Sequence, residues 1–442
     1  MTAQAIGPLF TDLYELTMGA SYHQHGLVSD ATFSLFVRNY PPHRNYFVAA
    51  GLEAILNELE GFRFSGSDID YLKRTALFSD RFLAYLKDLR FSGEVFAMPE
   101  GTIFFPGEPV LEITAPIIEA QILEPFLLNT IGLSSMIATK SARCIHAAGN
   151  RPLIDFSLRR TQGTDAGLKV ARSSYLAGFM ATSNVLAGKT YGIPVSGTMA
   201  HSYVTAFNSE SEAFSAYSRT FPDNSIFLID TYDTLEGARQ AAAVAREMKK
   251  TGHSLVGVRL DSGNMAELSR NVRKILDEAG LSEVKIFASG GFDEYKISAI
   301  IADGACIDAF GVGTKVGVSA DAPYLNIVYK MVKFGGRNVR KLSSGKATLA
   351  GEKQVFRETD TDGRYLKDTV GLRSETMPKA AALLEPVMTA GRCLRPHPTL
   401  SAIRDRFKAN FACLNDRFKS LDTPPAYPVA LSPKLETLQT ES

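Results

Sequence analysis

Six short apolar runs, separated by helix-like patterns, place the strongest constraint on the fold of this 442-residue chain. The runs are rich in β-branched residues and occupy residues 153–156, 193–195, 226–230, 255–261, 284–288 and 307–310. Short, continuously apolar runs of this kind are typical of parallel strands that are buried on both faces. Because helical patterns separate them, we predict repeated βα units, which close into a (β/α) barrel or form an open doubly wound sheet.

The segments between the runs carry the end signals of helices. Residues 166–188 are predicted to form one long helix that ends at Gly188. Residues 233–250 begin with the capping sequence Asp233-Thr-Leu-Glu236, and residues 264–280 and 292–304 end on glycine.

The two chain ends lack this alternation. Residues 1–115 combine a predicted helix at 12–25 with predicted strands at 31–37 and 93–97, and the turn-rich stretch 98–113 indicates antiparallel pairing. After residue 330 come turn-rich strands and a predicted helix at 400–421. We therefore expect a catalytic barrel at residues 116–330, and one smaller α+β domain formed by residues 1–115 together with residues 331–442.

Composition excludes several classes of protein. A net charge of +1 gives no electrostatic reason to expect binding to nucleic acid or a membrane surface. The most apolar stretch, residues 116–142, carries Glu119, Glu124 and Lys140 and fits a buried helix better than a membrane span. The four cysteines are too far apart for a metal site. We expect a soluble, cytoplasmic protein with no nucleic-acid or membrane partner.

Polar and glycine-rich segments follow the apolar runs. Since the carboxyl ends of parallel strands meet at one edge of a sheet, these segments should line a common cleft. Glycine-rich turns expose backbone N–H groups to phosphate, and arginines neutralise phosphate or carboxylate oxygens, although either feature alone also occurs in ordinary loops and surface salt bridges. The candidate residues are Arg159, Arg160, His201, Asp230, Arg259, Asp261, Ser289, Gly290, Gly291, Gly311, Gly313 and Thr314.

His201 is the candidate for group transfer. It follows the run 193–195 in the segment Gly197-Thr-Met-Ala-His-Ser202, and an imidazole can accept a proton or a phosphoryl group near neutral pH. A lone histidine is more often structural. Asp230 and Asp261 at strand ends can orient a histidine or hold a Mg²⁺–phosphate complex, and Asp230 can equally cap a helix in the turn Asp230-Thr-Tyr-Asp233.

Several of these segments resemble nicotinate phosphoribosyltransferases, and the matches run in order over nearly the whole chain. They begin with Thr11-Asp-Leu-Tyr-Glu-Leu-Thr-Met18 and continue through Asp155-Phe-Ser-Leu-Arg-Arg160, Ile193-Pro-Val-Ser-Gly-Thr-Met-Ala-His-Ser202, Leu228-Ile-Asp-Thr-Tyr-Asp233, Gly257-Val-Arg-Leu-Asp-Ser-Gly263, Ala288-Ser-Gly-Gly291, Phe310-Gly-Val-Gly-Thr314 and Tyr427-Pro-Val-Ala-Leu-Ser432. The resemblance implies the irregular (β/α) barrel of type II phosphoribosyltransferases with a second domain, assembled as a homodimer with shared active sites.

The resemblance also implies the reaction. Nicotinate would displace pyrophosphate from phosphoribosyl pyrophosphate to give nicotinate mononucleotide, a step of NAD biosynthesis, with Mg²⁺ bound mainly through substrate phosphates. ATP hydrolysis would be coupled through a phosphohistidine at His201, which Asp230 would orient.

The remaining site residues follow from the same resemblance. Phe156 and the partner subunit's Tyr14 would sandwich the pyridine ring. Arg159 and Arg259 would contact the base and the phosphoribosyl group, with Asp261 lining the same cleft. Gly290 and Gly311 would offer backbone sites for the 5′-phosphate, beside Ser289, Gly291, Gly313 and Thr314, and Arg38 would lie near the pyrophosphate.

Other functions are compatible with parts of the sequence. The nicotinamide-using relative carries an aspartate where this chain has Ser183, so a carboxylate substrate is favoured here. Quinolinate phosphoribosyltransferase is generally shorter and lacks the histidine. A non-catalytic nucleotide-binding barrel and a metal-dependent hydrolase are further alternatives; the first predicts lost polar residues at strand ends, and the second predicts clustered His and Asp ligands.

Overall fold

The computed structural model describes residues 6–343, 348–422 and 424–441. The helices are α1 (Leu13–Gln24), α2 (Leu52–Gly61), α3 (Gly66–Arg74), α4 (Asp80–Asp88), α5 (Ile117–Ile122), α6 (Glu124–Ala148), α7 (Thr164–Leu176), α8 (Val185–Tyr191), α9 (His201–Thr205), α10 (Glu210–Thr220), α11 (Thr234–Lys250), α12 (Met265–Glu278), α13 (Glu294–Ala302), α14 (Thr314–Gly317), α15 (Leu400–Cys413) and α16 (Pro433–Glu441).

The strands alternate with the helices only in the middle of the chain. They are β1 (Asp30–Val37), β2 (Phe47–Val48), β3 (Glu94–Ala97), β4 (Ile103–Phe104), β5 (Pro109–Pro116), β6 (Leu153–Asp155), β7 (Ala181–Thr182), β8 (Ile226–Leu228), β9 (Gly257–Leu260), β10 (Lys285–Ala288), β11 (Ala309–Val312), β12 (Ile327–Phe334), β13 (Arg337–Asn338), β14 (Lys353–Thr359), β15 (Tyr365–Leu372), β16 (Ala380–Ala382), β17 (Glu385–Thr389), β18 (Arg392–Cys393) and β19 (Val429–Leu431).

The chain divides into two compact units. The first contains residues 1–139 and 322–442, and the second contains residues 140–321. Both chain ends therefore contribute to one unit, which has more residues than the second, whereas we expected the unit formed by the chain ends to be the smaller one.

The first unit is built mainly on antiparallel sheets. Its seven-stranded sheet has the order β13-β12-β1-β5-β3-β17-β18, and its four-stranded sheet has the order β16-β14-β15-β19. Strand β1 lies between β5 and β12, where Leu35 pairs with Leu111 on one side and Tyr329 on the other. Alternating apolar side chains from these strands pack into a core with α1, α2 and α5.

The second unit is built on a six-stranded parallel sheet in the order β7-β6-β11-β10-β9-β8. The buried runs predicted from the sequence at β6 and at β8–β11 are confirmed, because residues such as Leu153, Phe227 and Val258 are fully buried. The run 193–195 is not a full strand, since it contributes only the single bridge between Val195 and Thr182.

The single helix predicted at 166–188 is wrong. Gly178, with φ +111°, follows the end of α7, and its N–H and that of Phe179 close back on Tyr175 and Ser174. The chain then runs extended as β7 beside β6, and the side chain of Asn184 accepts a hydrogen bond from the Ala187 N–H to start α8. The break adds an edge strand to the sheet and brings Ser183 to its carboxyl end.

Candidate active site

A cavity of about 510 Å³ opens at the carboxyl ends of the parallel strands in the second unit. The residues that line it are Phe156, Arg159, Arg160, Ser183, Gly197, Thr198, Met199, Ala200, His201, Arg259, Asp261, Ser289, Gly290, Gly291, Gly311, Gly313 and Thr314. The fold thus brings together candidates taken from five separate strand ends, as expected for a parallel sheet.

His201 is the first residue of α9, directly after the loop that ends at Ala200. Its Nδ1 lies 3.1 Å from the hydroxyl of Thr231. Its Nε2 lies 4.0 Å from Asp230 Oδ1 and 4.0 Å from Asp261 Oδ2, and the side chain is 44% exposed. The hydrogen bond that holds the ring therefore comes from Thr231, while two carboxylates flank the opposite nitrogen.

Asp230 ties together the ends of two neighbouring strands. Its Oδ2 accepts hydrogen bonds from the Asp261 N–H at 3.0 Å and from the Ser262 hydroxyl at 2.6 Å. Its Oδ1 has no hydrogen-bond partner within residues 6–343, 348–422 and 424–441. The capping role belongs instead to Asp233, whose side chain accepts from the Glu236 N–H at 2.8 Å. Asp230 is therefore available to His201.

Arg259 is the charged group that projects from β9. One of its terminal nitrogens donates to the Thr198 hydroxyl, while its Nε is buried with no partner in the described part of the chain. Burial lowers the pKa of the guanidinium, and the nearby Asp261 and Asp230 oppose that shift. A buried guanidinium with an N–H group that has no partner among the described residues is well suited to bind an anionic ligand.

Two glycines allow close approach at the sheet edge. A Cβ at Gly311 would lie 2.4 Å from two ring atoms of Phe156, so the ring packs directly on the β11 backbone. Gly290 has φ +107°, and a Cβ there would lie 2.1 Å from the carbonyl oxygen of Asp261. A side chain at either position would displace the wall of the cavity.

The buried carboxylate of Asp155, the residue before Phe156, holds the end of β6 in place through hydrogen bonds. Asp155 accepts from the Ser157 N–H at 2.9 Å and from the Thr182 hydroxyl at 2.7 Å. Burial raises the pKa of Asp155, and these hydrogen bonds oppose the shift. Because the Ser183 N–H also donates to the Asp155 carbonyl, the same residue positions Ser183 at the cavity.

Two predicted residues, Tyr14 and Arg38, belong to the first unit. Tyr14 lies on α1 and is half exposed, and Arg38 directly follows β1, where its N–H donates to the Asn326 carbonyl. Thr198 and Thr231 contact site residues but were not among those predicted from the sequence. Thr198 lies within the segment already singled out around His201, and Thr231 follows Asp230, so proximity to those residues was the available signal.

The described residues contain no cluster of three or more His, Cys, Asp or Glu side chains that could hold a metal ion. Their helices include none that is both long and apolar enough to cross a membrane.

Comparisons with known proteins agree along the whole chain. Three family profiles match: the nicotinate phosphoribosyltransferase N-terminal domain at residues 9–132, the nicotinate phosphoribosyltransferase family at residues 152–369, and the corresponding C-terminal domain at residues 376–439. The nicotinate phosphoribosyltransferase pncB2 of Mycobacterium tuberculosis is 48% identical over 434 residues, which cover 98% of this chain and 93% of the relative.

Two solved structures are similar to this chain in fold. The crystal structure of human nicotinic acid phosphoribosyltransferase has a TM-score of 0.88 and 30% identity, covering 98% of this chain and 99% of its own. That of nicotinate-nucleotide pyrophosphorylase from Pyrococcus furiosus has a TM-score of 0.76 and 26% identity, covering 92% and 95%. The predicted fold class, an irregular α/β barrel of the type II phosphoribosyltransferases with a second domain, is confirmed.

Proposed function

This chain belongs to the nicotinate phosphoribosyltransferase family, and we propose that it transfers the phosphoribosyl group of phosphoribosyl pyrophosphate to nicotinate, coupled to ATP hydrolysis through a phosphohistidine. The observation that carries the proposal is the composition of the cavity lining. Three arginines line the same cavity as His201 and the Gly290–Gly291 turn. They are Arg159, Arg160 and Arg259.

The chemistry of pyrophosphate displacement requires such a lining. As the bond between C1 of the ribose and the pyrophosphate oxygen breaks, positive charge develops on the ribose and negative charge on the leaving group. Arginines and Mg²⁺ stabilise that leaving group. The pyridine nitrogen is the nucleophile and forms the new bond to C1, so the protein needs only to position the ring. Phe156, packed on Gly311, supplies a flat surface for it.

Mg²⁺ fits this lining as an ion carried by substrate phosphates. The carboxylate of Asp261 faces the cavity, although one of its oxygens already accepts a hydrogen bond from Ser289. When bound, the ion supplies charge neutralisation for the pyrophosphate.

His201 has a suitable environment for phosphorylation. Asp230 and Asp261, each 4.0 Å from Nε2, favour a proton on that nitrogen, which leaves the lone pair on Nδ1. Nδ1 would attack the γ-phosphorus of ATP as the bond to the bridging oxygen breaks and ADP leaves. The hydroxyl of Thr231 holds Nδ1 before the attack.

Nicotinate is the base that the cavity favours. Ser183 brings no negative charge to the lining, while Arg159 and Arg259 bring positive charge that balances a carboxylate. We further propose a homodimer in which Tyr14 of the partner subunit covers the base, since Tyr14 is a half-exposed aromatic residue on α1.

Product analysis tests the proposed function. The protein is incubated with phosphoribosyl pyrophosphate and Mg²⁺, with either nicotinate or nicotinamide, with and without ATP. We expect nicotinate mononucleotide and pyrophosphate, formed faster with ATP and accompanied by ADP. Nicotinamide mononucleotide as the main product, or ADP formation that is independent of nucleotide synthesis, would contradict the proposal.

A further inference from the structure

Two glycine-bearing turns of the cavity follow neighbouring strands of the parallel sheet. The ladder between β10 and β11 ends at the pair of Ala288 and Phe310. Beyond that pair, the β10 turn (residues 290–291) and the β11 turn (residues 313–314) both line the cavity. Their backbone N–H groups can bind phosphate oxygens only if the two turns keep a suitable spacing. Because the ladder does not reach them, contacts outside the sheet hold the turns.

The β10 turn is held from the start of α13. Lys296 Nζ donates a hydrogen bond to the Gly290 carbonyl at 2.7 Å. Glu294, the first residue of α13, is fully buried and pairs with Lys140 at 2.5 Å and with Arg143 at 2.8 Å. Since a buried carboxylate paired with two buried cations is costly to displace, the start of α13 is a fixed base for the β10 turn.

Asp293 connects this fixed base to the β11 turn. Its Oδ1 accepts the hydrogen bond from the Lys296 N–H at 2.9 Å that caps α13. Its Oδ2 pairs at 2.7 Å with Nζ of Lys315, the residue that directly follows Thr314. Burial alone would raise the pKa of Asp293, but the Lys296 N–H and the Lys315 ammonium lower it below its ordinary value. The carboxylate is therefore charged at neutral pH and joins the two turns.

A second ion pair joins the opposite ends of the same two strands. Lys285, the first residue of β10, lies 3.5 Å from Asp308, which directly precedes β11. Lys285 is 57% exposed and Lys315 is 44% exposed, so solvent screens both pairs and each should contribute only about 1 kcal/mol or less to stability. The two pairs differ in location, since one lies beside the cavity turns and the other at the far end of the strands.

We propose that Asp293 and Lys315 are positioning residues, which hold the β10 turn and the β11 turn at the spacing that binds the phosphate groups of phosphoribosyl pyrophosphate. This inference rests on the proposed function. Neither residue is among the described residues that line the cavity, so both act on the ligand through the turns. Turns that are already fixed lose less conformational freedom when the ligand binds.

Equilibrium binding of phosphoribosyl pyrophosphate and Mg²⁺, measured by calorimetry without nicotinate or ATP, tests this role. Lys315→Met should weaken binding by about tenfold, because the N–H groups of the two turns are no longer held in register. Lys315→Arg should bind like the wild type, because a guanidinium can pair with the same carboxylate. Lys285→Met is the matched control and should also bind like the wild type, although both methionine variants should lose similar, small amounts of stability in urea. Wild-type affinity in Lys315→Met would overturn the proposal.

Asp293→Asn separates positioning from direct contact between Lys315 and the ligand. Asparagine is a good helix cap, so the variant keeps the hydrogen bond to the Lys296 N–H and loses only the charge that pairs with Lys315. If Lys315 acts through Asp293, Asp293→Asn should also bind about tenfold more weakly, and the double variant should bind no more weakly than either single variant. Unchanged or tighter binding by Asp293→Asn would mean that Lys315 contacts the ligand itself, and would overturn the positioning role.

Failure of the proposed function would give a different result. A wild type that binds phosphoribosyl pyrophosphate in a Lys315-dependent manner, yet forms no nicotinate mononucleotide, would contradict the proposed function and support the positioning role. Formation of nicotinate mononucleotide by Lys315→Met with the wild-type KM for phosphoribosyl pyrophosphate would contradict the positioning role alone.

Discussion

The buried carboxylate Glu112 of the first unit is paired with cations of the same unit, whereas charged groups at the second unit's cavity have polar atoms without a partner among the described residues. In the first unit, Glu112 on β5 is fully buried and bridges two cations, Lys353 at 3.3 Å and Arg373 at 2.5 Å. It also accepts hydrogen bonds from the Ser34 hydroxyl and the Lys353 N–H. Its four oxygen contacts leave little capacity for a ligand.

Arg259 lines the cavity, and Asp230 is close enough to act on it electrostatically, yet no ion pair joins the two among the described residues. Arg259 Nε and Asp230 Oδ1 both lack partners among the described residues. Buried ions that are paired inside the protein stabilise its fold once formed, while desolvated ions with free donors or acceptors are ready for a ligand. Loss of a charge should therefore reduce stability at Glu112 and catalysis at the cavity.

His201 should give the largest effect on activity. His201→Ala should abolish ATP hydrolysis and the acid-labile phosphoprotein, because no other imidazole lines the cavity among the residues that the structure describes, but slower ATP-independent nucleotide synthesis should remain. The measurements are labelling from γ-labelled ATP and product formation. His253→Ala is the control, since His253 pairs with Asp223 at 2.9 Å outside the cavity lining. Normal labelling of His201→Ala would return this histidine to a structural role.

Glu112 should give the largest effect on stability. Glu112→Gln leaves the buried Lys353 without its carboxylate and should lower the free energy of unfolding by about 3–5 kcal/mol. Urea denaturation measures the change. Glu358→Gln is the matched control, because the Glu358–Lys367 pair is solvent-exposed and should contribute less than about 1 kcal/mol. Equal losses in both variants would remove the distinction between the two kinds of charge.

Arg259 should show the reverse behaviour. Arg259→Gln should reduce kcat/KM for phosphoribosyl pyrophosphate by about 100-fold, roughly 3 kcal/mol of transition-state stabilisation. Its free energy of unfolding should be unchanged or slightly higher, because the variant removes a desolvated guanidinium whose Nε has no partner among the described residues. The exposed Arg239→Gln serves as the control. A large stability loss with intact kinetics would place Arg259 with Glu112 as a structural ion.

Some features of the second unit could be predicted from the sequence, and others could not. Strands β6 and β8 to β11 were predictable, because each is an apolar run whose residues are buried by helices on the sheet. The interruption at Gly178 was missed because the apolar periodicity continues across it, and hydrogen bonds to a distant strand decide the conformation there. The local sequence pattern carries no information about those hydrogen bonds to a distant strand.

The candidate site shows a similar limit. Residues at strand ends, such as Arg259 and Gly290, could be predicted to meet because parallel topology brings strand ends together. The role of Thr231 could only be suspected from its place beside Asp230, because the contact of its hydroxyl with His201 Nδ1 forms only after folding. That Oδ1 of Asp230 has no hydrogen-bond partner in the described part of the chain is likewise visible only in three dimensions.

Ser183 should give a smaller, selective effect. Ser183→Asp adds a negative charge to the cavity and should weaken the use of nicotinate by about 1–3 kcal/mol, with a smaller effect on nicotinamide. The ratio of kcat/KM for the two bases measures this change. Ser183→Ala is the control, since it removes the hydroxyl without adding charge. Unchanged selectivity in Ser183→Asp would remove Ser183 from the base-binding role.

Tyr14 should give the smallest effect, and it lies in the first unit while the cavity lies in the second. If the partner subunit's Tyr14 stacks on the base, Tyr14→Ala should raise the KM for nicotinate by about tenfold or less, because aromatic contacts contribute about 0.5–1.5 kcal/mol. Burial and the neighbouring Glu15 raise the pKa of Tyr14, so the phenol is neutral and Tyr14→Phe should retain the wild-type KM. Mixing Tyr14→Ala with Phe156→Ala subunits should recover sites that hold both rings. No recovery despite demonstrated subunit exchange would mean that Tyr14 and Phe156 do not meet across two subunits.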